Sequence, residues 1–345
     1  METRILPADP AGIAEAARLL REGRVVAFPT ETVYGLGGLA SRLDAIRSIF
    51  SAKGRPATDP LILHLPSPDL TRAAAEGWVS GPVPAAAIQL ARAFWPGPLT
   101  LILKRGPKVQ PEMTAGLDTV AVRHPLHPAA RALLQELGAP VAAPSANRFG
   151  RISPTDANAV REELAGKIPL ILDGGPCAVG LESTVVNLMS PSPEILRPGA
   201  VTPDQISKIL GETPIHRRSA TSVARAQTAP GQLVSHYAPC TPLYLCSSAL
   251  EKFHPEAFHL LFRAKSSPAK GNFILLGQGG NPDSAARELY RALRTADVSG
   301  SRLILVEPVP DSPWAEAIRD RLLRASTGTA AWDGQGWELR PRGGN

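Results

Sequence analysis

The chain has 345 residues, 43% of them hydrophobic and 20% charged, with a formal net charge of +6; this excludes a largely disordered protein, gives room for two domains, and admits nucleotides, nucleic acids or phosphorylated substrates as partners. Three cysteines (Cys177, Cys240, Cys246) without a C-x-x-C pair support neither a disulfide framework nor a cysteine zinc site. No secretory signal opens the sequence and no apolar run reaches the roughly 18 residues of a membrane span, so a soluble cytoplasmic protein is expected.

Up to about residue 210, short apolar runs alternate with segments of helical period, the pattern of an α/β layer structure. RVVAFPT, PLILHL, LTLILK, TVAVRH, PVAAPS, PLILDGG and STVVNL are predicted strands, several apolar on both faces and therefore central. LDAIRSIFSAK, AAAIQLARAFW, PAARALLQELG and DANAVREELAG are predicted helices. The first domain, 1–211, is expected to be a mixed sheet covered by helices. Residues 212–240 are basic, without sustained period and punctuated by Pro-Gly, and are expected to form an interdomain linker. In 241–345 the predicted strands PLYLC, FILLG and RLILVEP alternate with the predicted helices ALEKFHPEAFHLLFRAK, SAARELYRALRTA and WAEAIRDRLLRAS. A smaller three-layer, Rossmann-like α/β domain is expected there. In LLGQGGNPDSAARELY, Pro282 stands where G-x-G-x-x-G needs its third glycine and no Lys-Ser/Thr follows; a tight turn is expected rather than a dinucleotide or P-loop site.

Polar residues gather where predicted strands end, which is where open α/β sheets bind ligands. FPTETVYGLG leaves a strand through Thr30, Glu31 and Thr32; hydroxyls capping a turn would explain them equally well. FSAKGRPATDPLILH places Lys53 and Arg55 at a helix end that Pro56 is expected to stop, and His64 at the end of the next strand. Cations at a helix C-terminus are favoured by the macrodipole without a ligand, yet Arg55 offers a planar fork suited to phosphate and Lys53 a point charge beside it. TAGLDTVAVRHP carries Thr119 and Arg123 at opposite strand ends. VAAPSANRFGRISPTDANAV follows with Ser145 and Asn147, then enters a helix through Ser153, Thr155 and Asp156, where capping and anion binding use the same amides. ESTVVNL and EILRPGA add Ser183 and Arg197. Four such segments within about 170 residues point to one shared anionic site.

PTETVYGLG, KGRPATDPLILH, FWPGPLTLIL, TAGLDTVAVRHPLHP, PVAAPSANRFGRISPT, VGLESTVVNL and LRPGA, in this order, closely resemble the YrdC-like family of threonylcarbamoyl-AMP synthases, over about residues 10 to 210. APGQLVSHYAP followed by a second α/β domain resembles the family's long, two-domain form. The resemblance implies an open, twisted α/β sheet with a concave ligand surface. It also implies a nucleotidyltransferase (EC 2.7.7.87) that joins L-threonine, bicarbonate or CO2, and ATP with Mg2+ into threonylcarbamoyl-adenylate and pyrophosphate. Downstream transfer enzymes would use that product to modify the adenosine next to the anticodon of tRNA.

Carried over by position, the resemblance assigns Thr32, His64, Arg123, Ala143 and Ser183 to L-threonine. It assigns Lys53, Arg55, Asp59, Thr119, Ser145, Asn147, Ser153, Arg197, and His236 or Tyr237 of the linker, to the nucleotide. Lys53 and Arg55 would act electrostatically, and no protein nucleophile is required. Asp59 stands where the family often has a neutral polar residue, Leu233-Val234-Ser235 replace more basic linker residues, and PDSPWAEAIRDRLLRAS lacks the glycine-rich turn expected before its helix. Two other readings stay open. One is a double-stranded RNA-binding module, for which 5% aromatics and the lack of an RRM, KH or dsRBD pattern are poor material. The other is a carbamoyl-adenylate-forming maturation enzyme, whose cysteine-rich zinc modules this chain lacks.

Overall fold

The computed structural model describes residues 2–216, 236–250, 252–263, 272–277 and 282–342. The predicted linker therefore lies largely outside the described residues, as does the tight turn expected at 278–281. The chain divides into two compact units, Met1–Phe149 with Ser153–Val234, and Gly150–Ile152 with Ser235–Asn345.

The first unit runs β1 (Arg4–Pro7), α1 (Pro10–Arg21), β2 (Val26–Phe28), β3 (Gly35–Leu39), α2 (Leu43–Lys53), β4 (Ile62–His64), α3 (Leu70–Ala75), α4 (Ala85–Phe94), β5 (Leu99–Lys104), a 3-10 turn (Pro111–Thr114), β6 (Thr119–Arg123), α5 (Pro128–Leu137), β7 (Val141–Ala143), α6 (Ala157–Leu164), β8 (Leu170–Asp173), β9 (Thr184–Asn187), β10 (Glu194–Arg197), α7 (Pro203–Leu210) and β11 (Ile215–His216). The strands form one mixed sheet in the order β1-β8-β2-β3-β7-β4-β6-β5-β9-β10-β11. β11 lies within the stretch expected to be linker.

Residues paired across neighbouring strands point to the same face, so the register sorts the sheet into two surfaces. On one, helices α2, α3, α4, α6 and α7 bury Ile46, Ala73, Leu90, Val160 and Ile206 against Leu36, Leu63, Leu101 and Val122. On the other, α1 and α5 bury Leu20 and Leu133 against Phe28, Val141 and Leu172. That second face continues through Ala143↔Ile62, Ile62↔Ala121 and Ile102↔Ala121 into the buried cluster Ile62, Ile102, Ala121, Val185 and Leu196, which includes no helix residue. The apolar floor so formed carries His64, Arg123 and Thr100 at one rim and Thr119 at the other. Thr119 and Arg123 close opposite ends of β6, about 13 Å apart at strand rise.

α2 stops earlier than its sequence suggests: Gly54, left-handed at φ 64°, ends it before Pro56 is reached, with the Gly54 and Arg55 amides donating to Ser51 and Phe50 carbonyls. Asp156 caps α6 by accepting from the Ala159 amide at 2.8 Å, which leaves Ser153 outside the cap.

The second unit contains β12 (Leu243–Cys246), β13 (Ala257–Leu261), β14 (Phe273–Leu275), α8 (Pro282–Asp297), β15 (Leu303–Val306), α9 (Ala315–Ala325), β16 (Gly328–Trp332) and β17 (Trp337–Pro341). Its sheet order is β14-β13-β15-β12-β16-β17, parallel except for the β16–β17 hairpin. The helix predicted over 249–265 is not formed; β13 occupies its centre, between β14 and β15. A strand buried along its whole length shows no alternation, and Phe253, Ala257, Phe258 and Leu261 fall by chance at helical spacing. Leu250 and Phe253 of the segment before β13 pack against Ala257, Leu261, Leu303 and Leu305 of the sheet.

Gly199 lies where the LRPGA segment crosses the Ser183 backbone. A Cβ there would stand 2.5 Å from the Thr184 amide nitrogen, 2.7 Å from the Glu182 carbonyl oxygen and 2.8 Å from the Ser183 carbonyl carbon, all backbone atoms that no rotamer change can move. Gly199→Ala is expected to destabilise the first unit by about 1–3 kcal/mol, read as a lowered midpoint in thermal or urea unfolding; an unchanged midpoint would show that this crossing is loose.

Candidate active site

The loop after β2 is a turn closed by Thr30, whose hydroxyl donates to the Val33 carbonyl at 2.6 Å and accepts from the Thr32 and Val33 amides. Turn chemistry thus accounts for Thr30, and it aims its two neighbours at Arg123. Arg123 donates to Thr32 Oγ1 at 2.9 Å and to the Gly97 carbonyl at 3.3 Å, and Nη2 stands 2.7 Å from Glu31 Oε1 in an ion pair. Both partners of that pair are buried.

β4 and β6 are parallel and pair His64 with Arg123. His64 is buried, its Nδ1 lies 3.2 Å from the Ile62 carbonyl, and its ring meets Phe28 edge-on. Burial first, and the neighbouring Arg123 charge second, push its pKa down to about 3, so the imidazole is neutral at physiological pH.

At the same rim, Ser183 Oγ lies 2.7 Å from Thr100 Oγ1 and accepts from Arg197 Nη2 at 3.0 Å, while Arg197 Nε donates to the Ser183 carbonyl at 3.0 Å. Ala143 is buried beside Ile62 at the end of β7.

The second group surrounds the end of α2. Lys53 Nζ donates to the Ser145 carbonyl at 2.6 Å and to the Asn147 carbonyl. Arg55 donates to the carbonyls of Asp59 at 2.9 Å and Pro60 at 2.8 Å and forms a 2.8 Å ion pair with the Asp59 carboxylate. Burial, then Arg55, holds the Lys53 pKa well below its usual value; burial raises that of Asp59 against the pull of Arg55, Lys53 and Arg197. The Ser145 and Asn147 side chains bond to each other. The Ser153 hydroxyl, fully buried, has no hydrogen-bond partner among the described residues.

Thr32, His64, Arg123, Ser183 and Arg197 are therefore brought to one rim, and Lys53, Arg55, Asp59, Ser145 and Asn147 are joined in a second cluster. Thr119 stands on the shared face at the far end of β6. His236 and Tyr237 belong to the second unit, where Tyr237 (φ 63°) is buried against Tyr290 and 5.4 Å from the Arg321 guanidinium. Glu31, Thr100 and the Gly97 carbonyl carry bonds that the sequence reading did not assign. Among the described residues no group of three His, Cys, Asp or Glu is placed to hold a metal, and no helix is long and apolar enough to cross a membrane.

Comparison with known proteins identifies the family. The family profile described as "Telomere recombination" (Sua5, YciO and YrdC) matches residues 18–199, and that described as "Threonylcarbamoyl-AMP synthase, C-terminal domain" matches residues 201–327. Threonylcarbamoyl-AMP synthase of Bacillus subtilis is 41% identical over 341 residues, covering 93% of this chain and 94% of the relative. That of Pyrococcus abyssi is 40% identical over 320 residues, covering 90% and 93%. The crystal structure of P. abyssi Sua5 complexed with L-threonine superposes with a TM-score of 0.84 at 37% identity, covering 94% of this chain and 97% of that one. The chain belongs to the threonylcarbamoyl-AMP synthase family, in its long two-domain form.

Proposed function

We propose that this protein is a threonylcarbamoyl-AMP synthase, an ATP-using nucleotidyltransferase whose product serves tRNA modification through separate transfer enzymes in the cytoplasm. The observation that carries the reading is a set of buried cations, Lys53, Arg55, Arg123 and Arg197, on one family-typical α/β scaffold. In the reaction the threonine amine adds to CO2, giving a carbamate. A carbamate oxygen then attacks the α-phosphorus of ATP, the bond to the bridging oxygen breaks, and pyrophosphate leaves. Two anions must meet, so positioning and charge neutralisation carry the chemistry.

In this assignment Thr32, His64, Arg123, Ala143 and Ser183 hold L-threonine, with the guanidinium of Arg123 on its carboxylate. Lys53, Arg55, Thr119, Ser145, Asn147, Ser153 and Arg197 hold the nucleotide, assisted by His236 or Tyr237. Lys53 spends two of its three protons on carbonyls, which leaves one for a phosphate oxygen. Asp59 acts on the nucleotide through Arg55, which it orients. Its Oδ1 pairs with Arg55, and magnesium enters as the substrate complex Mg2+-ATP. The synthase is assigned to 1–211, the linker to 212–240 and the accessory domain to 241–345.

The deciding assay supplies ATP, Mg2+, bicarbonate and one amino acid at a time and measures pyrophosphate. Threonine-dependent release is expected; release indifferent to threonine, or tight salt-sensitive RNA binding without ATP or threonine binding, would overturn the reading. Arg123→Ala should raise the threonine requirement, and Lys53→Ala or Arg55→Ala the ATP requirement, each by about tenfold or more for a lost charge-assisted contact of about 1.5–3 kcal/mol.

His64 gives a second expectation. Its folded pKa of about 3 lies below the ordinary histidine value of 6.5, so below pH 6.5 the unfolded chain binds the proton that the folded chain refuses. Stability should fall as pH drops from 6.5 toward 3, by up to about 1.4 kcal/mol per pH unit from this group. Urea unfolding between about pH 7 and pH 4 should show a shallower decline for His64→Asn than for the natural chain; parallel curves would mean that His64 stays accessible to protons.

A further inference from the structure

Glu31 is placed against expectation. A carboxylate beside Arg123 weakens the pull of that arginine on an anionic substrate, yet Glu31 is held there at three points. Oε1 pairs with Arg123 Nη2 at 2.7 Å, Oε2 accepts from the Leu126 amide at 3.0 Å, and the Glu31 carbonyl accepts from the Val179 amide at 2.7 Å. Leu126 lies three residues beyond Arg123, so one carboxylate ties both the side chain of Arg123 and the backbone that leaves it.

The other restraints on Arg123 come from different segments: Thr32 Oγ1 on Nη1 and the Gly97 carbonyl on Nε. A guanidinium has five N–H groups. With Nε and one Nη1 proton hydrogen-bonded to the chain's own oxygens, and Nη2 held beside Glu31 Oε1 by charge rather than by an aligned hydrogen bond, Nη1 and Nη2 each keep an N–H without an acceptor among the described residues. That pair has the spacing of a carboxylate's two oxygens. Without Glu31 the fork could rotate about its stem, and its two remaining donors would lose their common direction.

We propose that Glu31 is a positioning residue: it fixes the Arg123 guanidinium so that its two remaining N–H groups receive the α-carboxylate of the amino-acid substrate. The proposal rests on the assignment of Arg123 to that carboxylate. It differs in sign from simple charge neutralisation. If Glu31 only offset the charge of Arg123, removing its negative charge would strengthen binding of a carboxylate; if it positions Arg123, removal weakens it.

The test uses the full-length protein and Glu31→Gln, which keeps an oxygen for the Leu126 amide but loses the charge, with L-threonine and Mg2+-ATP titrated separately by calorimetry. The expected result is a threonine Kd raised about tenfold with the ATP Kd within about twofold, and kcat/KM for threonine falling much more than kcat. Glu31→Asp, which keeps the charge but shortens the reach, should weaken threonine binding to an intermediate degree, and carries the test if Glu31→Gln does not fold. Unchanged or tighter threonine binding, or equal losses for threonine and ATP, overturns the proposal. Arg123→Lys separates the two levels: if it leaves the threonine Kd unchanged, the assignment of Arg123 fails, and with it the task ascribed to Glu31.

Discussion

A cation removed from water has to be surrounded by oxygen atoms that the fold itself supplies, and the described residues of the first unit include four such buried cations: Lys53, Arg55, Arg123 and Arg197. The effective penalty is several kcal/mol per ion when no partner is present. Each is met in a different way. Lys53 has two backbone carbonyls from the loop after β7, and Arg55 has the short loop that joins α2 to β4. Arg123 has Glu31, Thr32 and Gly97, from loops on either side of it, and Arg197 has Ser183. The loops are therefore not free ends of the sheet. Each is drawn into place by the charge that it must solvate, which is why residues far apart in sequence converge on one face.

The sheet makes that convergence possible. α1 and α5 cover the face only as far as β7, and the register then passes an apolar floor of Ile62, Ala121, Ile102, Val185 and Leu196 from strand to strand. Small and branched side chains there leave the long polar ones at the strand ends as the groups that reach over the floor. His64 and Arg123 share a register line because β4 and β6 are parallel, and Ser183 joins them because β9 runs parallel to β5.

Much of this is legible in the sequence, for physical reasons that also mark where legibility ends. The central strands β4, β5, β6 and β7 and the helices α2, α4 and α5 announce themselves through apolar runs and amphipathic period. β3 does not, because its GLGGL is dominated by glycines that make room for Phe28 and Val141, and β13 imitates a helix. Among the site residues, Thr32, His64, Arg123, Ser183 and Arg197 can be picked from polar residues at strand ends. The bonds among them cannot. Glu31 reads as a turn residue, Thr100 vanishes inside an apolar strand, and Gly97 contributes only a carbonyl that no side-chain motif records. Asp59 stands out as an acid among cations in the sequence, and its explanation is the Arg55 ion pair, a contact between residues only four apart but set in a buried loop rather than on a helix.

The distribution of charge within the face follows the proposed ligands. At the rim proposed for threonine, Arg123 is paired with Glu31, and His64, held neutral by burial, adds no charge to that pair. Around the end of α2 and along β10, the three cations Lys53, Arg55 and Arg197 act on Asp59, whose own ionisation burial resists, and Lys53 also feels Glu163. That excess positive charge suits a polyphosphate, and burial, then the neighbouring Arg55, lowers the affinity of Lys53 for its proton. A phosphate beside it would reverse that shift. A nucleotide in the proposed place would thus offset what burial takes from Lys53, whereas the amino acid would meet an arginine already paired with Glu31.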